Sequence, residues 1–263
     1  MTSVLVTEEI AAAGIALLRT EFDVDVDLNP APDALAERIG GYEALIVRSA
    51  TSVTAGLLEH AGRLQVIGRA GTGVDNVDVA AATRRGIIVA NAPGSNMVAA
   101  AEHALGLLLA IARNIPQAHA ALVQGRWERK RFGGVELADK VLGIVGFGRI
   151  GQLVAARARA FGMRVVVFDP FVSEDRCREL QVASASLENL LLQADFVTLH
   201  APLTDETRHL IDAERLALMK PGVRLVNAAR GDLVDIDALV AALRSGHVAG
   251  AALDVFPSEP YTS

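Results

Sequence analysis

Short runs of Val, Ile and Leu alternate with Ala-rich stretches along the whole chain, and the series starts afresh midway. Runs at residues 4–7, 24–26, 44–47, 65–68 and 87–90 form the first set; those at 141–145, 164–168, 196–200, 224–226 and 249–253 form the second. Strand-length apolar runs separated by helix-length segments return each strand in the same direction, which builds parallel sheets covered by helices. The expected fold class is α/β with two doubly wound parallel sheets. A length of 263 residues suits two modest domains. The excess of Ala, Val and Leu, with only 4% aromatics, fits helix-covered sheets better than an aromatic-rich sandwich. Between the sets, residues 95–124 are rich in Ala and Leu and broken late by Pro116, which predicts one long helix with a kink or restart. The domains therefore divide as 1–94 and 95–263. Ser95 or Asn96 is placed to cap that helix and to turn its positive end toward an anion.

Charge and cysteine content narrow the class. A net charge of −6 gives no electrostatic case for nucleic acid. The local run Arg126, Arg129, Lys130, Arg131 reads as a solvated helix exit. Cys177 is the single cysteine, so the chain holds no internal disulfide and no thiolate cluster for zinc; no metal site is expected, and the cytoplasm is the expected compartment. The N-terminus runs straight into a strand without a basic leader, and the longest apolar stretch, 104–112, is about half of a membrane span.

The run at 141–145 leads into Gly146-Phe147-Gly148-Arg149-Ile150-Gly151 and then a helix expected to begin near Gln152, the G-x-G-x-x-G pattern in a strand, turn and helix setting. Each glycine has a mechanical reason: Gly146 for the tight turn, Gly148 for backbone approach to a pyrophosphate, Gly151 for packing of helix on strand. Arg149 and Ile150 would supply N–H groups at the helix start. The strand at 164–168 ends in Asp169, where a carboxylate accepts hydrogen bonds from adenosine ribose hydroxyls and repels a 2′-phosphate, favouring NAD over NADP. The alternative for Asp169, with Pro170 following, is an ordinary turn-forming pair, which the glycine pattern before it disfavours.

The blocks Val47-Arg48-Ser49-Ala50-Thr51, Gly68 through Asp78, Gly146 through Gln152, Val226-Asn227-Ala228-Ala229-Arg230-Gly231 and Ala251 through Phe256 together resemble the D-isomer-specific 2-hydroxyacid dehydrogenase family over nearly the whole chain. The resemblance implies a flavodoxin-like substrate domain beside a Rossmann NAD domain. It assigns Arg230 to the substrate carboxylate and carbonyl, a role suited to a guanidinium that is always charged and pairs bidentately. Glu259 falls at the acidic partner of a catalytic histidine. Asp254 and the Ala229 backbone would meet the nicotinamide, and His200, Ala201 and Pro202 would border the adenine and nicotinamide pockets. For the substrate it points to Arg48, Ser49, Arg69, Asn96 and the turn Gly71-Thr72-Gly73, whose two arginines favour a phosphorylated hydroxy acid; either arginine could instead be a salt-bridged strand end. Trp127 matches the family's dimer arm, with core packing as its alternative, so a homodimer or homotetramer through the long helix and this arm is expected.

The chain also departs from the family. The histidine of the family lies in a Pro-His motif, and none of the six histidines here (His60, His103, His119, His200, His209, His247) follows a proline. His103, after Glu102, is expected to pack or to act at a hinge. The return segment that completes the first domain, and a last strand of the second, are expected to be missing, leaving an exposed packing face. Asp232 stands where relatives often carry glycine and adds negative charge near Arg230. Within the family the nearest rival activity is reduction of glyoxylate or hydroxypyruvate; outside catalysis, an NAD-sensing corepressor would need a peptide cleft in the first domain.

Overall fold

The computed structural model describes residues 1–258 and Tyr261. In chain order the elements are β1 (Ser3–Val6), α1 (Ala12–Leu18), β2 (Asp23–Val26), α2 (Pro32–Ile39), β3 (Ala44–Val47), α3 (Ala55–Glu59), β4 (Val66–Arg69), α4 (Val79–Arg84), β5 (Ile88–Asn91), α5 (Met97–Arg113) and α6 (Ile115–Val123). They continue with β6 (Val141–Val145), α7 (Arg149–Ala160), β7 (Arg164–Phe168), α8 (Glu174–Glu179), β8 (Ala183–Ser184), α9 (Leu187–Gln193), β9 (Phe196–Leu199), α10 (Ala213–Leu218), β10 (Val223–Asn227), α11 (Ile236–Arg244) and β11 (Val248–Leu253). The chain forms two compact units, Met1–Asn96 and Met97–Ser263.

In the first unit the five strands run parallel in the order β2-β1-β3-β4-β5. One face of this sheet is closed by α2, α3 and α4 around Leu5, Leu45, Val47 and Ile67. The other holds a small cluster of Val4, Val6 and Val24 packed with Ile10, Ile15, Leu18 and Ile46, and Ile88 of β5 is 64% exposed. Alternation explains the split: successive strand residues point to opposite faces.

In the second unit six parallel strands follow the order β11-β10-β9-β6-β7-β8, which places β6 at the centre and reproduces the 3-2-1-4-5-6 order of dinucleotide folds. Every residue of β6 is buried, as a strand covered on both faces must be. β8 spans two residues only and has no apolar run to announce it. α5 lies on this sheet through Ala101, Ala104, Leu105, Leu108 and Ile111, packed with Ile144 and Val154.

The restart expected near Pro116 occurs and gives two helices: Asn114 takes a left-handed conformation (φ 52°), Pro116 opens the first turn of α6, and the axes turn by 65°. Ser95 and Asn96 spend their side chains elsewhere, Ser95 Oγ donating to Ala92 O (3.0 Å) and Asn96 Oδ1 accepting from Thr72 Oγ1 (2.7 Å). α7 starts at Arg149, three residues before the expected Gln152. In the basic run, Arg126 and Arg131 both pair with Glu128. Trp127 is 79% exposed, which removes core packing as its role. Among the described residues no single helix is long and apolar enough to cross a membrane.

Candidate active site

The second unit concentrates its chemistry at the carboxyl ends of β6, β7, β9, β10 and β11. Gly146 has φ +92°, and a Cβ there would stand 2.6 Å from Ala201 N and His200 C, so both conformation and space demand glycine. A Cβ on Gly151 would overlap Gly146 O, so the first turn of α7 packs directly on the turn that precedes it. Gly148 is the contrast: nothing lies within 4 Å of where its Cβ would be. That opening lies beside the start of α7, which has no side-chain cap, whereas α8, α9, α10 and α11 are capped by Ser173, Ser186, Asp212 and Asp235. A helix start whose N-cap residue, Gly148, has no side chain to cap it favours an anion through the helix dipole, so the turn fits the pyrophosphate of a dinucleotide.

Asp169 does two jobs at the end of β7. Its Oδ2 accepts from Phe147 N (2.7 Å) within the glycine turn and its Oδ1 from Phe171 N (2.9 Å), the Asx turn expected of an Asp-Pro pair. An ionised carboxylate has further lone pairs for ribose hydroxyls. His200 N donates to Val145 O (2.7 Å), and its Nε2 lies 3.0 Å from Thr198 Oγ1. Burial pushes the His200 imidazole down to about 4, so it is neutral at physiological pH.

Arg230 follows β10 in an extended conformation, with Nη1 donating to Ala229 O (2.6 Å). Its turn is built by Asn227, a buried polar residue whose Oδ1 accepts from Ala229 N (3.1 Å) and whose Nδ2 donates to Arg230 O (2.8 Å). Asn227 O also accepts from Asp254 N (3.0 Å), tying this turn to the end of β11. A Cβ on the buried Gly231 would overlap the Phe256 carbonyl, so the Arg230 turn and the segment after Asp254 press backbone to backbone. Asp254 is exposed, and its Oδ1 lies 3.1 Å from His103 Nε2; His103 thus touches an expected cofactor residue rather than the core. Asp232 forms an ion pair with Arg208. Glu259 lies outside the described residues.

The first unit gathers its expected residues at the equivalent edge. A hollow of about 540 Å³ is lined by Glu9, Ala12, Arg48, Ala70, Ala92 and Ser95, after the ends of β1, β3, β4 and β5. Arg48 is exposed, and Arg69 Nε donates to Arg48 O (3.2 Å). The Arg69 guanidinium folds over Gly71, where a Cβ would collide with it. Gly71 N donates to Arg69 O (2.8 Å), so that amide is spent inside its own turn, while Asn91 Nδ2 holds Thr72 O (2.6 Å). No pattern flagged Glu8. Its carboxylate, 7% exposed, accepts from the backbone N–H of Arg48, Ser49, Ala50 and Thr51 at 2.7, 3.1, 3.0 and 2.9 Å. Burial raises its pKa, but those amide bonds prevail and hold it below the ordinary carboxylate value. Any anion at this edge therefore meets the side chains of Arg48 and Ser49 rather than the loop amides. Asn76 braces the same loop, its Nδ2 donating to Arg48 O (2.8 Å) and Thr51 O (2.7 Å).

The family model for the D-isomer specific 2-hydroxyacid dehydrogenase NAD binding domain matches residues 105–263, so the chain belongs to that family and its second unit carries the NAD-binding domain. Among curated proteins it is 51% identical over 259 residues, 98% of this chain, to the D-3-phosphoglycerate dehydrogenase of Mycobacterium tuberculosis. It spans about half the length of the curated relatives it matches, 49% in that case. Among solved structures, the TT0316 protein from Thermus thermophilus superposes with a TM-score of 0.91 at 42% identity, over 99% of this chain and 84% of that one. The D-lactate dehydrogenase from Aquifex aeolicus, solved with NAD and lactic acid, gives 0.87 at 29% identity, over 98% and 78%.

Proposed function

We propose that this chain is the dehydrogenase portion of an enzyme that oxidises 3-phospho-D-glycerate to 3-phosphohydroxypyruvate with NAD, the entry into serine synthesis from a phosphorylated acid. The observation that carries this reading is the uncapped glycine turn of the second unit, with Asp169 at its side and the Arg230 turn in the same sheet edge. The D-3-phosphoglycerate dehydrogenases at about half identity support the choice of substrate.

The turn from Gly146 to Gly151 takes the pyrophosphate, and Asp169 takes the adenosine ribose, its charge disfavouring a 2′-phosphate. His200, Ala201 and Pro202 line the cofactor, and Ala229 and Asp254 meet its carboxamide. Bound NAD supplies the hydride acceptor for C2 of the substrate. Arg230 holds the substrate carboxylate and stabilises charge on the C2 oxygen. Arg48, Ser49, Arg69, the turn at Gly71, Thr72 and Gly73, and Asn96 attract the phosphate of the substrate. Glu259 serves as the acidic partner of a histidine base. Where no Pro-His histidine is present to serve as that base, both ligands still bind but turnover falls by a factor of about 10² to 10⁴. Exposed Trp127 is the anchor between two copies.

Steady-state NADH production from 3-phosphoglycerate, measured beside a close relative that carries the Pro-His motif, tests the reading. Binding of NAD and 3-phosphoglycerate with turnover at least a hundredfold slower is the expected result. Turnover equal to that relative would refute the assigned base, and preference for unphosphorylated glycerate would hand the assignment to the reductase alternative.

A further inference from the structure

Arg230 sits two residues before a carboxylate on the same turn. That carboxylate, Asp232, is 24% exposed and is paired with Arg208. Arg208 belongs to the segment 200–211, which begins as the cofactor loop and ends on the Arg230 turn. Its internal bonds are Thr207 Oγ1 to Pro202 O (2.7 Å), Thr204 N to Thr207 Oγ1 (2.7 Å) and Arg208 N to Thr204 O (3.0 Å). It grips the turn after Arg230 through His209 N to Asp232 O (2.7 Å) and Ile211 N to Leu233 O (2.9 Å). His209 adopts φ +49° to make that grip. Asn227 and the buried Gly231 fix the other sides of the same turn.

We propose that Arg208 is a positioning residue for the reaction: by neutralising Asp232, it keeps the Arg230 guanidinium directed to the carboxylate of the substrate. The inference rests on the functional reading given above for Arg230. A tether and a charge shield differ in what double substitution does. If Asp232 is harmful only when its charge is bare, Arg208→Gln damages substrate binding, Asp232→Asn does little, and the double variant recovers. If the pair is only a brace, each single change harms and the double change harms as much.

The test uses the full 263-residue chain and an abortive pair, NADH with 3-phosphoglycerate, which binds without reacting. Calorimetry gives the Kd of NADH alone and of 3-phosphoglycerate at saturating NADH. Arg208→Gln is expected to weaken 3-phosphoglycerate on the order of tenfold while NADH changes less than about twofold, and adding Asp232→Asn restores most of the loss. The NADH titration certifies a folded cofactor site in each variant. Unchanged 3-phosphoglycerate affinity in Arg208→Gln, or a double variant as weak as the single one, overturns the inference if Arg230→Gln abolishes binding in the same assay. Should Arg230→Gln bind 3-phosphoglycerate normally, the functional reading itself fails.

Discussion

Two loops at sheet edges face the same problem, a row of backbone N–H groups at the end of parallel strands, and they solve it differently. In the first unit the loop after β3 gives its amides to Glu8, an anion supplied by the protein itself. In the second unit the turn after β6 keeps an open flank at Gly148 and no side-chain cap. One loop is finished by folding; the other is left open, as the proposed NAD site requires. Anion-binding geometry therefore marks a binding site only where no internal carboxylate has already filled it.

Substituting the glycines breaks this comparison most sharply. Gly146→Ala forces a methyl into backbone at positive φ and should destabilise the second unit by about 3 kcal/mol or more, seen as a lowered Tm for that unit. Acid should act next, and at different pH in each unit. The folded pKa of His200 lies at about 4 against an ordinary 6.5, so the unfolded chain binds the proton first. Stability from its neutral form is complete above pH 6.5 and is lost as pH falls toward 4, a change of up to about 3 kcal/mol that a His200→Gln variant should flatten. Glu8 works lower: its contribution is present above the ordinary carboxylate value of 4.5 and disappears as pH falls through its depressed folded value. Denaturant melts across pH, followed by hydrogen exchange in each unit, separate the two windows.

Glu8→Gln should cost the first unit about 2 kcal/mol, because an amide offers one acceptor oxygen where a carboxylate offered two. NAD affinity should be untouched; a matching loss of NAD binding would contradict the independence of the two loops. The smallest effect is Asp169→Ala, expected to weaken NAD about tenfold, since it removes both a ribose acceptor and the anchor on Phe147 N, and to narrow the gap to NADP. Competition titrations with the two dinucleotides measure it.

The sequence made these two loops unequally visible. The glycine turn announces itself because its constraints are local: Gly146 is required by the neighbouring strand end and Gly151 by an atom five residues away, while Gly148 faces open space. Ten of the eleven strands were legible to within a residue or two for the same reason, most of them being continuous apolar runs. Glu8 was not legible, since its partners lie 40 to 43 residues away and a lone Glu after a strand looks like a solvated loop. Asn227 carried a faint signal, a polar residue closing a buried strand, and β8 carried none. Asp232 reads as added charge near Arg230, yet only the tertiary structure brings Arg208 to it across 24 positions.

Calorimetric titration of NAD into the wild-type chain and Gly148→Ala addresses the central claim most directly, because that methyl enters space which folding leaves empty. One equivalent of NAD should bind to the wild type, the variant should bind it at least about tenfold more weakly, and both unliganded proteins should melt at the same Tm. A folded wild type that takes up no NAD, or a variant that binds it equally well, would show that the glycine turn is not the NAD site.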